Sequence, residues 1–313
     1  MGLISAFTSL AMASAAIAQN CPIQFDGRVP AGSTAASFDA TTSPFGTKFI
    51  FGQNLTMSKV VQLPAIAGSL FDTNGALPVE VTLSDQSIFA PSATNIQTGF
   101  RRAELLPASN NGTDPSTLGL KTLHFSIMKD TARPFNTSHE YQLVFLEDAT
   151  FSTNQFVLKT GTISGQPAGQ DPNLLVLQGN VNAKVVQNLF NTSFTADTWH
   201  NFGIVLDFNS NTTQVLYSTN ATPLANVTSA VANDISGQGQ FHFGALKKPT
   251  GDNLTDVTKQ GFQESGINEG VIYGGIFEED SSGGCISLSA CAASAANATT
   301  ATNTTVSSTG RRH

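Results

Sequence analysis

Short runs rich in Val, Ile, Leu, Phe and Thr alternate with clusters of Gly, Pro, Asn, Asp and Ser along most of this chain. That pattern predicts strands over Lys48–Phe51, Val79–Leu83, Thr122–Met128, Tyr141–Leu146, Phe156–Thr160, Leu174–Leu177, Phe202–Phe208, Thr213–Ser218, Gly239–Gly244 and Gly270–Phe277. Helical spacing of apolar residues is almost absent, and only Thr222–Val231 and Val185–Phe190 suggest a turn of helix. Many short strands at this spacing predict an all-β fold, an antiparallel two-sheet sandwich or jelly roll.

Alternation within the strands separates a core face from a second face. In Thr122–Met128, Leu123, Phe125 and Ile127 share one side, with His124, Ser126 and Met128 on the other. Strict period two over Glu140–Leu146 puts Glu140, Gln142, Val144 and Leu146 together, opposite Tyr141, Leu143 and Phe145. One face of such a strand packs on the second sheet, and the other can line a groove. Polar residues among strand apolars are therefore the ones to examine.

The two ends of the chain have a different character. Leu3–Ile17 is an Ala-rich, weakly apolar run ending in Ala16-Ile17-Ala18, which predicts a signal peptide over residues 1–18. Residues 19–288 read as one catalytic β-domain. From Ser281 the composition turns to Ser, Ala, Thr, Gly and Asn, and residues 289–313 read as a flexible tail. Asn-x-Ser/Thr acceptors at Asn54, Asn111, Asn136, Asn191, Asn211, Asn220, Asn226 and Asn253, with Asn297 and Asn303 in the tail, add to the reading of a secreted, extracellular glycoprotein. Cys21, Cys285 and Cys291 are the only cysteines. A Cys21–Cys285 bridge would staple the start of the domain to its finish, and a local Cys285–Cys291 loop is the alternative. A net charge of −7 and a pI near 5.1 argue against a nucleic-acid partner. Beyond the signal segment no apolar run is long enough to span a membrane.

No HExxH, GxSxG, CxxC, phosphate-loop or dinucleotide motif occurs, so neither metal nor cofactor is expected. Carboxylates remain, and these suit glycosidic chemistry, in which one carboxyl protonates the leaving oxygen and a second activates water or attacks carbon. If Gly99–Pro107 is extended, Arg102 and Glu104 share a face; the pair is either catalytic or a structural ion pair. Glu140 and Gln142 project together from His139-Glu140-Tyr141-Gln142, as a catalytic carboxylate and a sugar ligand or as an exposed strand end. His124 borders the same groove or is a bonded structural histidine. Trp199 stacks on a sugar ring or enters the core. Glu147, Asp148, Glu278 and Glu279 sit at strand ends and read most simply as solvated charges.

Cys-Pro-Ile-Gln-Phe-Asp-Gly-Arg-Val-Pro at 21–30, Gly-Phe-Arg-Arg-Ala-Glu-Leu-Leu-Pro at 99–107, His-Glu-Tyr-Gln-Leu-Val-Phe at 139–145 and Trp-His-Asn-Phe-Gly at 199–203 resemble fungal glycoside hydrolase family 131, over essentially residues 20–288. The resemblance implies a β-jelly roll with an open cleft and hydrolysis of β-1,3-, β-1,6- or β-1,4-linked glucan, cellulosic substrates included. It also implies a catalytic glutamate pair, which falls on Glu104 and Glu140. Arg102, His124, Gln142 and Trp199 are the expected substrate contacts. Arg102 should keep Glu104 ionised as base or nucleophile, and burial should keep Glu140 neutral as the acid. A jelly-roll polysaccharide lyase and a non-catalytic glucan-binding protein are the alternatives. The partner expected is a polysaccharide, met by a monomer.

Overall fold

The computed structural model describes residues 21–47, 52, 54–167 and 169–290. The predicted signal peptide, the strand at Lys48–Phe51, Cys291 and nearly all of the tail lie outside them. Among the described residues fifteen strands follow in chain order: β1 (Ile23–Asp26), β2 (Val61–Gln62), β3 (Val79–Ser84), β4 (Arg101–Leu105), β5 (Leu120–Lys129), β6 (Glu140–Glu147), β7 (Asn154–Gly161), β8 (Leu174–Gln178), β9 (Asn188–Ser193), β10 (His200–Asp207), β11 (Thr212–Thr219), β12 (Ala225–Asn226), β13 (Val231–Ala232), β14 (Gln240–Lys247) and β15 (Asn268–Asp280). They form two antiparallel sheets. One runs β12-β11-β10-β5-β15-β3-β2, with β1 added to β15 and β13 to β11; the other runs β4-β14-β6-β7-β8-β9. This is the two-sheet jelly-roll sandwich expected from the strand pattern.

The inner faces meet in one apolar core. Phe125 of β5 stacks on Phe202 of β10 at 5.0 Å, and Phe243 of β14 meets Phe125 edge-on at 6.0 Å, so aromatic contacts tie the sheets together. A smaller cluster of Phe71, Val205, Leu216, Leu224 and Phe277 covers part of the outer face of the nine-stranded sheet. Cys21 and Cys285 are bonded, with Cα atoms 5.5 Å apart, and join chain positions 264 residues distant.

The two helical expectations are not met. Thr222–Val231 carries only the short strand β12 and the first residue of β13, and Val185–Phe190 runs into edge strand β9. Leu224 drops alone into the outer cluster, while Leu189 and Phe190 pack against the main core from a strand. Isolated apolar anchors of this kind serve an edge strand and leave a helix without a continuous face.

Strand β6 departs from strict alternation. Its pairing slips between Gln142 and Val144 against β7, and between Phe243 and Leu246 against β14. This bulge sends Leu143 and Val144 both inward, with Tyr141 and Leu146 also in the core. Phe145 consequently turns outward, onto the face that carries Glu140 and Gln142. Tyr273 reaches across from β15, its hydroxyl 2.9 Å from the Leu143 carbonyl and 2.7 Å from that of Gly244. It donates its single proton to these two acceptors beside the slip in the ladder.

Candidate active site

The outer face of the six-stranded sheet carries two clusters of charge. The first is built on β4, where Ala103 and Leu105 turn into the core and Arg102 and Glu104 turn out. Arg102 Nε and NH2 each donate to one Glu104 oxygen at 2.8 Å, a bidentate clamp. His242 of β14 bonds Glu104 Oε2 through Nδ1 at 2.7 Å. Its ring lies on Phe145 at 4.3 Å, nearly parallel. The far nitrogen, Nε2, is 3.4 Å from Glu147, an ion-pair contact without a formed hydrogen bond. Gly244 permits this packing, since a Cβ there would come within 2.2 Å of the Ala103 carbonyl oxygen.

Charge states follow from these contacts. Burial pushes the Glu104 carboxyl up, but Arg102 and His242 outweigh it and hold it below the usual carboxylate range. Burial likewise disfavours a charged His242, yet Glu104 and Glu147 outweigh that and raise its pKa. The cluster is therefore a buried carboxylate between guanidinium and imidazolium, with the half-exposed Glu147 at its open side.

The second cluster surrounds Glu140 at the start of β6. Lys248 Nζ is 2.8 Å and Lys159 Nζ 3.0 Å from Glu140 Oε1, and Ser164 N donates to Oε2 at 2.9 Å. Burial raises the Glu140 pKa, but the two lysines overcome it and the carboxyl stays ionised. The expectation that burial alone keeps Glu140 neutral overlooked both cations. Lys159, itself buried, is pulled below the ordinary lysine value, and Glu140 offsets this only in part. Beside Glu140 lies an open hollow of about 480 Å³, walled by Ser138, Thr162, Ser164, Lys248 and the loop from Pro249 to Val257. That is within the range of small-ligand pockets.

Gln142 lies between the clusters and accepts from Asn154 Nδ2 at 3.0 Å. Glu104 pairs with Gly244, Gln142 with Leu246, and Lys248 N bonds the Glu140 carbonyl. The Glu104 and Glu140 Cα atoms are thus separated by roughly 13 Å along the strands and roughly 10 Å across them.

Arg102, Glu104, Glu140 and Gln142 therefore share one face. His124 and Trp199 do not. His124 projects from the outer face of the other sheet, fully buried, with Nε2 2.9 Å from Glu279 and its ring on Phe277 at 4.5 Å. Trp199 is buried, its indole N–H donating to the Ala67 carbonyl at 3.1 Å. Alternation correctly turned His124 away from the core, but both sheets have an outer face and the strand pattern does not say which. Glu279, read as a solvated charge, is buried with His124 and Ser287; Glu278 is buried as well, and so is Asp148, which accepts from the Ser152 and Thr153 amides. His242, Glu147, Lys159 and Lys248 were missed. The histidine was detectable, because Phe241 and Phe243 flank it as core residues and leave it on the opposite face. Among the described residues no group of three or more His, Cys, Asp or Glu is arranged to hold a metal ion.

A sandwich with carboxylates clamped among cations on one outer sheet face belongs with the carbohydrate-active β-sandwich enzymes. The description "Glycoside hydrolase 131 catalytic N-terminal domain" matches residues 23–284 of the 313. The chain belongs to glycoside hydrolase family 131, as its motifs suggested, and it is a glycoside hydrolase. That removes the lyase and the non-catalytic binder. Two solved structures share the fold. The GH131 β-glucanase catalytic domain from Podospora anserina is 24% identical with a TM-score of 0.66, covering 86% of this chain and 99% of its own. The glycoside hydrolase family 131 catalytic domain from Coprinopsis cinerea is 24% identical with a TM-score of 0.60, covering 86% and 97%. No curated protein matches the chain. Among the described residues no helix is long and apolar enough to cross a membrane.

Proposed function

We propose that this chain is a secreted β-glucan hydrolase using Glu104 and Glu140. The observation that carries the reading is Glu104: a buried carboxylate held ionised by Arg102 and His242 on an outer sheet face. A carboxylate in that state suits the base or nucleophile of glycoside hydrolysis. The Podospora domain, a β-glucanase on the same fold, supports glucan as substrate. Glu140 is the second carboxylate; with Cα atoms roughly 16 Å apart, the two side chains must extend towards each other over bound substrate to reach the ~6.5–9.5 Å span of an inverting pair. Lys248 is the more exposed of its two cations. A bound sugar that draws Lys248 away leaves burial as a stronger influence on Glu140, which favours the protonated acid. The disulfide and the sequons support secretion through an oxidising, glycosylating compartment.

Glu147 offers a second reading of the pair. It faces Glu104 across a single imidazole, with 2.7 and 3.4 Å contacts on its two sides. Their oxygens are thus on the order of 8 Å apart at most, inside the ~6.5–9.5 Å span of an inverting pair. Reducing-end release from β-glucan by Glu104→Gln, Glu140→Gln and Glu147→Gln tests both. Glu104→Gln and Glu140→Gln should each lower kcat by roughly 100-fold or more, as loss of a general acid or base does. Full activity in Glu104→Gln would sink the assignment. Retained activity in Glu140→Gln with loss in Glu147→Gln would move the second role to Glu147.

A further inference from the structure

The loop between Pro249 and Phe262 forms one wall of the hollow beside Glu140, and it carries the acceptor sequence Asn253-Leu254-Thr255. The loop is firmly held. Thr250 and Phe262 bridge at its base, Gln260 Oε1 accepts from the Thr255 and Asp256 amides at 2.9 and 3.0 Å, and Gly99 N donates to Thr258 O at 2.8 Å. Leu254 is turned in, its nearer methyl carbon 3.3 Å from where a Gly251 Cβ would sit. Asn253 beside it is exposed and adopts a left-handed backbone with φ of 54°, which asparagine tolerates. Among the described residues no hydrogen bond engages its side-chain amide. Three other acceptors are engaged: Asn111 and Asn136 bond the hydroxyl residues of their own sequons, and Asn220 accepts from the Trp199 amide. Asn253 also lines the hollow that holds Glu140.

We propose that Asn253 carries an N-linked glycan that stands in the mouth of the Glu140 hollow and limits the entry of polymeric glucan from that side. The sugar attached to the amide is bulky and hydrated, and the braced loop cannot swing it clear. A long chain crossing the sheet face meets it, whereas a short glycoside reaches the carboxylates without passing the rim. The proposal rests on the hollow being part of the substrate path. Asn226, exposed on β12 at the edge of the other sheet, provides an internal control.

The full chain would be produced in a glycosylating fungal host, its Asn253 occupancy mapped by peptide mass spectrometry, and compared with Asn253→Gln, Thr255→Ala and Asn226→Gln. Asn253 should be occupied. Asn253→Gln and Thr255→Ala should both raise kcat/KM on polymeric glucan several-fold and leave a short chromogenic glycoside nearly unchanged, with no effect from Asn226→Gln. An unmodified Asn253, or polymer kinetics unaltered by removing its glycan, overturns the proposal. If Asn253 is occupied but neither native nor enzymatically deglycosylated protein cleaves glucan, the hydrolase reading has failed separately. Affinity electrophoresis in glucan gels then decides the glycan's role: Asn253→Gln must be retarded more than the native protein, and equal retardation overturns it.

Discussion

Glu104 stays ionised inside the protein because two donors of opposite charge reach it, one from its own strand and one from the next. Arg102 is two residues away on β4, and His242 arrives from β14. The histidine is the more informative partner. Its folded pKa is raised, so its stabilising contribution is complete below the unfolded value near 6.5 and is lost as pH rises through the folded value. Glu104 runs the opposite way: its contribution is present above about 4.5 and lost as pH falls through its depressed pKa. The native protein should therefore show a melting temperature that falls on the alkaline side, and His242→Gln should flatten that limb while lowering activity. A melting profile unchanged in shape would show that His242 is not protonated. His200 gives a separate acid limb. Burial lowers its pKa to about 4, so the neutral ring, which bonds Tyr217 at 2.7 Å, should lose stability as pH drops from about 6.5 towards 4. His200→Gln should lessen that loss, as read by melting temperature between those pH values.

At the scale of the element, the bulge in β6 determines which side chains reach the site. Without it, period-two alternation would set Phe145 opposite Glu140 and Gln142, and His242 would lose the ring it lies on. The bulge persists because Leu143 and Val144 both find the core and because the Tyr273 hydroxyl reaches the Leu143 and Gly244 carbonyls. Tyr273→Phe keeps the ring and removes only that donor. It should destabilise the protein by about 1–3 kcal/mol, the usual penalty for stranding a buried acceptor, read from denaturant midpoints. Activity should fall along with stability, since Gly244 backs Glu104 directly.

Across the whole molecule, the Cys21–Cys285 bond joins the first described residue to the segment that closes the domain. Around it, Ser287 donates to Glu279, and Glu279 holds His124, so the segment that follows Cys285 is fastened to the outer face of the nine-stranded sheet. That sheet does not carry the Glu104 cluster. Cys21→Ser should accordingly lower stability by roughly 2–5 kcal/mol, while kcat on glucan at low temperature stays near the native value. A large loss of kcat at a temperature where the variant is still folded would mean that the clasp reaches the active face.

Most of the architecture was legible because period-two burial is a local property: nine of the predicted strands fall on strands of the structure, and the tenth lies outside the described residues. Glu104, Arg102, Glu140 and Gln142 were legible for the same reason, as charged or polar groups on strands that otherwise read apolar. Sequence alone thus determined an all-β enzyme domain, its family and four residues of one face. What it could not determine was which of two outer faces a polar strand residue occupies, as with His124, or which of its two alternatives, stacking or burial, Trp199 takes. Nor could it reveal the bulge in β6, or the meeting of Glu104 with His242 and of Glu140 with Lys248. Those depend on strand order and register between segments up to 138 residues apart in the chain, which only the packing of the two sheets decides.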